Sequence, residues 1–182
     1  MGKLFVISGS SGVGKGTVIN EFLHKHPGFK LSISCTTRGK REGEEHGVNY
    51  FFLAKEEFKK CIDNDEFLEW AEFSGNCYGT KKEFVKNCLS KGENLILEID
   101  TKGALNVKKI MPEATLIFIA PPSLKELEAR LRGRHTETEE AIQKRLASIK
   151  SEIENSKHYD YVVVNDTVEN AVKKIEEITK IN

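Results

Sequence analysis

The stretch that most constrains this chain is Gly9-Ser10-Ser11-Gly12-Val13-Gly14-Lys15-Gly16-Thr17, set between the apolar run Leu4-Phe5-Val6-Ile7 and a helical pattern at Val18, Ile19, Phe22 and Leu23. An extended run, a glycine-rich loop and a helix, in that order, let successive backbone N–H groups turn in on one anion while the new helix adds its positive end. The spacing Gly9-x-x-x-x-Gly14-Lys15 is that of a phosphate-binding loop (P-loop), and Lys15 reaches the outer phosphates of the nucleotide it cradles. All nine residues are therefore assigned to a phosphoryl donor. One position departs from the pattern: Gly16 stands where a Ser or Thr commonly offers a hydroxyl to magnesium, and Thr17 comes one residue late.

The rest of the chain alternates apolar strands with amphipathic helices, which predicts an α/β fold: a parallel sheet flanked by helices, with ligands at its carboxyl edge. Strands are expected at 29–34, 50–53, 67–73, 95–100, 116–120 and 161–164, and the last ends at Asn165, also on the carboxyl edge. The segment 34–80 does not read as a strand-helix-strand unit but as a small mixed α/β insertion, in which Tyr78-Gly79-Thr80 leads into a helix. Leu95 to Asp100 is a buried strand with a carboxylate at its tip. Glu98 and Asp100 share one face by the two-residue period, and Asp100 is placed to handle magnesium, directly or through water.

Two charged stretches need a reading. The polar loop with Arg38, Arg41, Glu44 and Glu45 is either a solvated hairpin or an anion site built on paired arginines. Arg130, Arg132, Arg134 and Arg145 flank a glycine-hinged turn, and four cations there suit a helical lid that closes over phosphates. Because Lys plus Arg equals Asp plus Glu at 28 each, the formal net charge is +0, which excludes a broad nucleic-acid or membrane footprint. Four widely spaced cysteines without a C-x-x-C pair fit thiols in a reducing compartment, and the apolar run before the loop is too short for a leader. A cytoplasmic location is expected, and 182 residues suit one domain.

Across essentially its whole length the chain resembles the guanylate kinase family. The resemblance rests on the P-loop, Ser34 with Thr36-Thr37-Arg38, Arg41-x-Gly43-Glu44-x-x-Gly47-x-x-Tyr50, Glu69, Tyr78-Gly79-Thr80, and Ile99-Asp100 with Gly103. Arg130-Leu131-x-Gly133-Arg134-x-Thr136-Glu137, Arg145-Leu146 and Val164-Asn165-Asp166 complete it. It implies a P-loop NTPase core at 1–33, 81–124 and 156–182, a GMP-binding insertion at 34–80 and a lid at 125–155. The implied reaction is transfer of the ATP γ-phosphoryl group to GMP, giving ADP and GDP, with Mg2+. Lys15, Arg38, Arg134 and Arg145 would be catalytic, and Arg130 and Asn165 would join the loop on the donor. Ser34, Arg38, Arg41, Glu44, Tyr50, Glu69, Tyr78, Thr80 and Asp100 would hold GMP, with Ser34, Glu69 and Thr80 reading guanine. Thr17 and Asp100 would help the metal. The implied partners are ATP, GMP and dGMP, bound by a monomer or homodimer.

Four residues differ from the family's usual choice: Gly16, Glu98 for Asp, Lys102 for Gln and His135 for Gly. The alternatives are a silent phosphopeptide-binding relative, or a nucleoside monophosphate kinase of other base specificity. The intact Gly14-Lys15 and the full arginine set speak against the first, Glu69 with Tyr78-Gly79-Thr80 against the second.

Overall fold

The computed structural model describes residues 1–10, 12–133 and 138–181. Its elements run β1 Leu4–Gly9, α1 Lys15–Lys25, β2 Phe29–Leu31, β3 Cys35–Thr36, β4 Phe51–Phe52, α2 Lys55–Asp63, β5 Phe67–Phe73, β6 Asn76–Lys81 and α3 Lys82–Ser90. They continue with β7 Asn94–Glu98, α4 Thr101–Ile110, β8 Thr115–Ala120, α5 Leu124–Arg132, α6 Glu139–Asn155, β9 Tyr161–Val164 and α7 Val168–Ile181. The strands form a five-stranded sheet in the order β2-β7-β1-β8-β9 and a four-stranded sheet in the order β4-β3-β6-β5. In the larger sheet β2 runs parallel to β7, and β8 to β9. This is the mostly parallel, helix-flanked P-loop architecture the strand-helix alternation predicts.

The chain packs as two compact units. One comprises Met1–Phe5, Gly28–Glu98 and Lys102–Ala114, the other Val6–Pro27, Ile99–Thr101 and Thr115–Asn182. In the first, Cys35, Phe58, Cys61 and Phe67 form a buried cluster beneath the four-stranded sheet, with Phe51, Leu53, Ile62 and Cys77 against it. All four cysteines are free thiols, and burial pushes the Cys35 thiol up to about 11, so it stays protonated and behaves as a small apolar side chain. In the second, α1 packs on α7, with Val18, Ile19 and Phe22 buried on one helix and Ala171, Val172 and Ile175 on the other. That is the i, i+3, i+4 stripe of two amphipathic helices. The expected stripe on α6 is also present, with Ile149 buried and Leu146 and Ile153 packed against it.

Three local expectations change. The run 29–34 is not one strand: β2 stops at Leu31 and a separate β3 begins at Cys35 in the other sheet. Tyr78-Gly79-Thr80 leads into a helix, α3, as expected, but it does so from inside a strand, β6, which pairs with both β3 and β5. Finally, β7 ends at Glu98 and α4 begins at Thr101, so Asp100 sits beyond the strand in the turn that enters the helix. A two-residue period holds only where the backbone is extended, and it cannot relate Glu98 to Asp100 here.

Candidate functional site

The glycine-rich loop lies wholly in the second unit. Gly14 is the N-cap of α1 at φ 88°, a left-handed conformation that a side chain resists, so a glycine is required there. Gly14 has no side chain to cap this helix end and the first turn holds no acid, which suits the amide cluster and positive dipole to an anion. Gly12, Val13, Gly14, Thr17, Gly133, Asn165 and Val168 line an open cavity of about 550 Å³. Of the expected donor residues, Gly9 ends β1, Ser10 is buried, Lys15 and Gly16 are half-buried, and Thr17 is exposed on the first helical turn. Gly133 and Val168 line the cavity without having been read as donor residues. Val168 carries no chemistry that a motif could flag.

Asn165 is buried, and its side-chain nitrogen donates to the Val13 carbonyl at 2.7 Å. Asp100 is exposed, and its backbone carbonyl accepts from the buried Ser8 hydroxyl at 3.3 Å. Ser11 and Arg134 lie outside the described residues, as do the side chains of Arg130 and Arg145. The fourth arginine of that turn, Arg132, is taken up locally: it ion-pairs with Glu128 at 2.9 Å and with both oxygens of Glu139. Arg132 holds the Glu139 carboxyl down to about 2.

The first unit carries the other group, on the four-stranded sheet and on the loop between β3 and β4. Arg38 forks onto Glu44 with Nη1 and Nη2 at 3.0 and 2.7 Å, and a further Nη1 bond reaches the Gly39 carbonyl at 2.7 Å. Glu44 also accepts from the Arg41 N–H at 2.9 Å. The guanidinium carbon lies 5.5 Å from the Tyr50 ring centre and 5.9 Å from that of Phe52, and Tyr50 meets Tyr78 edge-on at 6.2 Å. The Arg38 guanidinium, then the Arg41 N–H, hold the Glu44 carboxyl below the usual carboxylate range. Glu44 in turn raises Arg38, with the Tyr78 hydroxyl adding to it. Phe52, the second aromatic bed under Arg38, was read only as a strand residue; its alternation with Tyr50 was the available signal.

Two residues along β6 from Tyr78, on the same face, the buried Thr80 hydroxyl donates to Glu69 at 2.7 Å. Glu69 pairs with Thr80 across the β5–β6 ladder just after a bulge between Phe67 and Glu69. Gly79 makes room for that bulge, since a Cβ there would lie 2.9 Å from the Trp70 Cβ and 3.1 Å from the Glu69 carbonyl oxygen. Ser34 is half-buried, and its carbonyl accepts from Phe51 at 2.9 Å. The structure thus brings Arg38, Glu44, Tyr50 and Tyr78 into one cluster and Glu69 and Thr80 into another. The Arg41 side chain is exposed, and only its backbone joins the first.

A P-loop at the head of a mostly parallel sheet, together with a mixed insertion bearing an arginine-aromatic cluster, defines a P-loop phosphotransferase of the nucleotide-kinase type. The family model for guanylate kinase matches residues 1–181. The chain is 52% identical over 176 residues to a guanylate kinase of Prochlorococcus marinus, covering 97% of this chain and 95% of that protein. It is 53% identical over 178 residues to one of Bacillus cereus, covering 97% and 87%. Its fold matches the crystal structure of guanylate kinase from Anaplasma phagocytophilum with a TM-score of 0.76 and 33% identity, over 99% of this chain and 85% of that one. The chain belongs to the guanylate kinase family and is a nucleotide-binding transferase that phosphorylates GMP from ATP. Among the described residues no helix is long and apolar enough to cross a membrane.

Proposed function

We propose that this transfer, ATP and GMP to ADP and GDP, uses the loop residues 9–17 for the donor phosphates and the 34–80 insertion for GMP, with 125–155 as the lid. The observation that carries the acceptor assignment is the arrangement along β6: an arginine fork on an aromatic bed beside Tyr78, and a carboxylate held by a buried threonine two residues on. Two residues of strand span about 7 Å, which separates a phosphate end from a base end. Three of the five Arg38 N–H groups go to Glu44 and Gly39, so the Nε edge of the guanidinium is the face offered to the GMP phosphate. Arg41, Tyr50, Tyr78 and Ser34 join it. Glu69 accepts from the adjacent N1–H and N2–H₂ of guanine, a donor pair adenine lacks, and Thr80 keeps the carboxylate in place. A site with committed polar groups rejects the wrong base because they are left unpaired.

In-line transfer between two anions needs positioning and charge cancellation more than covalent help. Lys15, Arg38, Arg130, Arg134 and Arg145 are the cations for it. Among the described residues no group of three or more His, Cys, Asp or Glu could hold a metal unaided. This donor set fits Mg2+ carried by the ATP phosphates and water, with the Thr17 hydroxyl and the Asp100 carboxylate, directly or through water, as the protein's contribution. The metal would neutralise the phosphate oxygens. Asp100 also contributes to GMP; dGMP serves as a second acceptor, and the cytoplasm is the working compartment.

The test is ADP release with ATP against GMP, dGMP, AMP, CMP and UMP. GMP and dGMP should be turned over, with AMP slower by roughly 100-fold or more in kcat/KM. A preference for AMP would overturn the base assignment. Tight binding of a phosphopeptide without turnover would instead support the silent relative.

A further inference from the structure

Across a trans peptide the carbonyl and the following N–H point in opposite directions, and no cis peptide occurs among the described residues. Whatever grips the Val13 carbonyl therefore aims the Gly14 N–H. The Asn165 side-chain nitrogen donates to that carbonyl at 2.7 Å in a buried contact. Because the partner is an acceptor, this end of the amide is the nitrogen. Asn165 is itself anchored, since its backbone N–H donates to the Ala120 carbonyl at 2.9 Å, continuing the β8–β9 ladder one residue past β9.

Two further observations show that the side chain is fitted closely to the loop. Asn165 is 6% exposed, so its side chain is enclosed where it makes this bond. A Cβ on Gly14, at φ 88°, would lie 3.1 Å from the Asn165 Nδ2, so loop and amide are fitted to each other. The Val13 N–H is meanwhile spent on the Ser10 carbonyl at 3.1 Å. The Gly14 N–H is then the first after that turn that a phosphate can take.

We propose that Asn165 is a positioning residue for the phosphoryl donor: through the Val13 carbonyl it orients the 13–14 peptide so that the Gly14 N–H points at the donor phosphates. The proposal rests on the reading of the loop as the ATP site. It changes the role expected of Asn165 from contact with the nucleotide to control of the loop that contacts it. A donor base does not enter the argument, so any ligand with the phosphate chain alone must feel the change.

The experiment compares ATP and inorganic tripolyphosphate by calorimetry on the wild type, Asn165→Ala, Asn165→Asp and Lys15→Met. Asn165→Ala should weaken both ligands by the same factor, roughly 10- to 100-fold, with the KM for GMP within about twofold of wild type. Asn165→Asp, which sets an acceptor against an acceptor, should lose at least as much. Loss of ATP affinity with tripolyphosphate binding intact would assign Asn165 to the base and overturn the proposal, as would unchanged binding of both. If wild type bound no tripolyphosphate, or Lys15→Met bound it normally, the donor-site reading would fail first and the proposal with it. Should neither Asn165 variant fold, the scalar coupling across the hydrogen bond between the Asn165 Nδ2 and the Val13 carbonyl carbon can be read in wild type. Its presence and its survival on tripolyphosphate binding are expected, and its absence in either state would overturn the proposal.

Discussion

On the proposed assignment, the donor loop and the acceptor sheet bind the same chemical group in opposite ways. The loop is made of backbone: its shape follows from the left-handed Gly14 at the helix end and from one tie to Val13. The acceptor region is made of side chains held in pairs, Arg38 on Glu44 in the loop between β3 and β4 and Thr80 on Glu69 across β5 and β6. Backbone amides serve any phosphate chain, so the loop supplies affinity with little discrimination. Paired side chains can refuse a partner, so specificity belongs to the sheet.

The largest effect should come from breaking the loop's single essential charge. Lys15→Met removes the cation that reaches the outer phosphates and keeps most of the side-chain bulk. Turnover should fall by roughly 1,000-fold or more, as when one preorganised group aimed at the transferring charge is lost. Far-UV circular dichroism and the melting temperature should stay at wild-type values. Turnover near wild type would make the loop a scaffold rather than a donor site.

On the sheet the matching change is Glu69→Gln, which should be smaller and selective. Glutamine can accept from one guanine donor but sets its own NH₂ against the other, at a cost of about 1–3 kcal/mol, or one to two decades in kcat/KM for GMP. ATP affinity should not move. An unchanged KM for GMP would reduce Glu69 to a strand residue, and equal losses on both substrates would erase the division of labour between the two regions.

The contrast also decides what could be read from the amino-acid sequence. The loop is nine contiguous residues whose spacing states their own geometry, so its place between β1 and α1 was legible without any relative. The acceptor residues are scattered from Ser34 to Asp100; the charge of one loop suggests Arg38, Arg41 and Glu44 as an anion site, and only the family resemblance joins the others to them. Strand β6 was not legible at all: Gly79 at its centre weakens any strand pattern, and the reason for that glycine is the bulge on β5, a partner strand no local window contains. Asp100 was misplaced by carrying a strand's period past Glu98, where β7 ends. The Asn165 tie spans 152 residues of sequence, beyond the reach of any periodicity.

A third test separates the acceptor pair from ordinary surface charge. The Glu44 carboxyl sits below its usual range because of Arg38 and the Arg41 N–H. A depressed folded-state value means stabilisation that is complete above the unfolded carboxyl value near 4.3 and is lost as pH falls through the folded value. The melting temperature of Glu44→Gln should therefore trail wild type by roughly 1–3 °C at pH 6–7, and the gap should close below about pH 4. A gap that persisted into acid would trace to the amide itself and not to the Arg38–Glu44 pair.

The smallest expected effect lies in the loop, at the residue where it departs from the usual pattern. A Cβ on Gly16 would meet nothing within 4 Å, and Gly16 is not among the positive-φ residues; packing and backbone therefore leave room for the hydroxyl that such loops usually offer to magnesium. Gly16→Ser should fold, with a gain of about 0.5 kcal/mol from replacing glycine in the first turn of α1. If Mg2+ is held mainly by phosphate and water, with Thr17 and Asp100 assisting, the added hydroxyl should lower the half-saturating Mg2+ concentration by roughly two- to fivefold and leave the KM for GMP alone. Asp100→Asn, which keeps the shape and removes the charge, should shift the same titration the other way. Coincident titrations for wild type and Gly16→Ser would show that the metal is not reached from position 16. The P-loop would then deliver only amides and Lys15, and control of the metal would pass to the turn between β7 and α4.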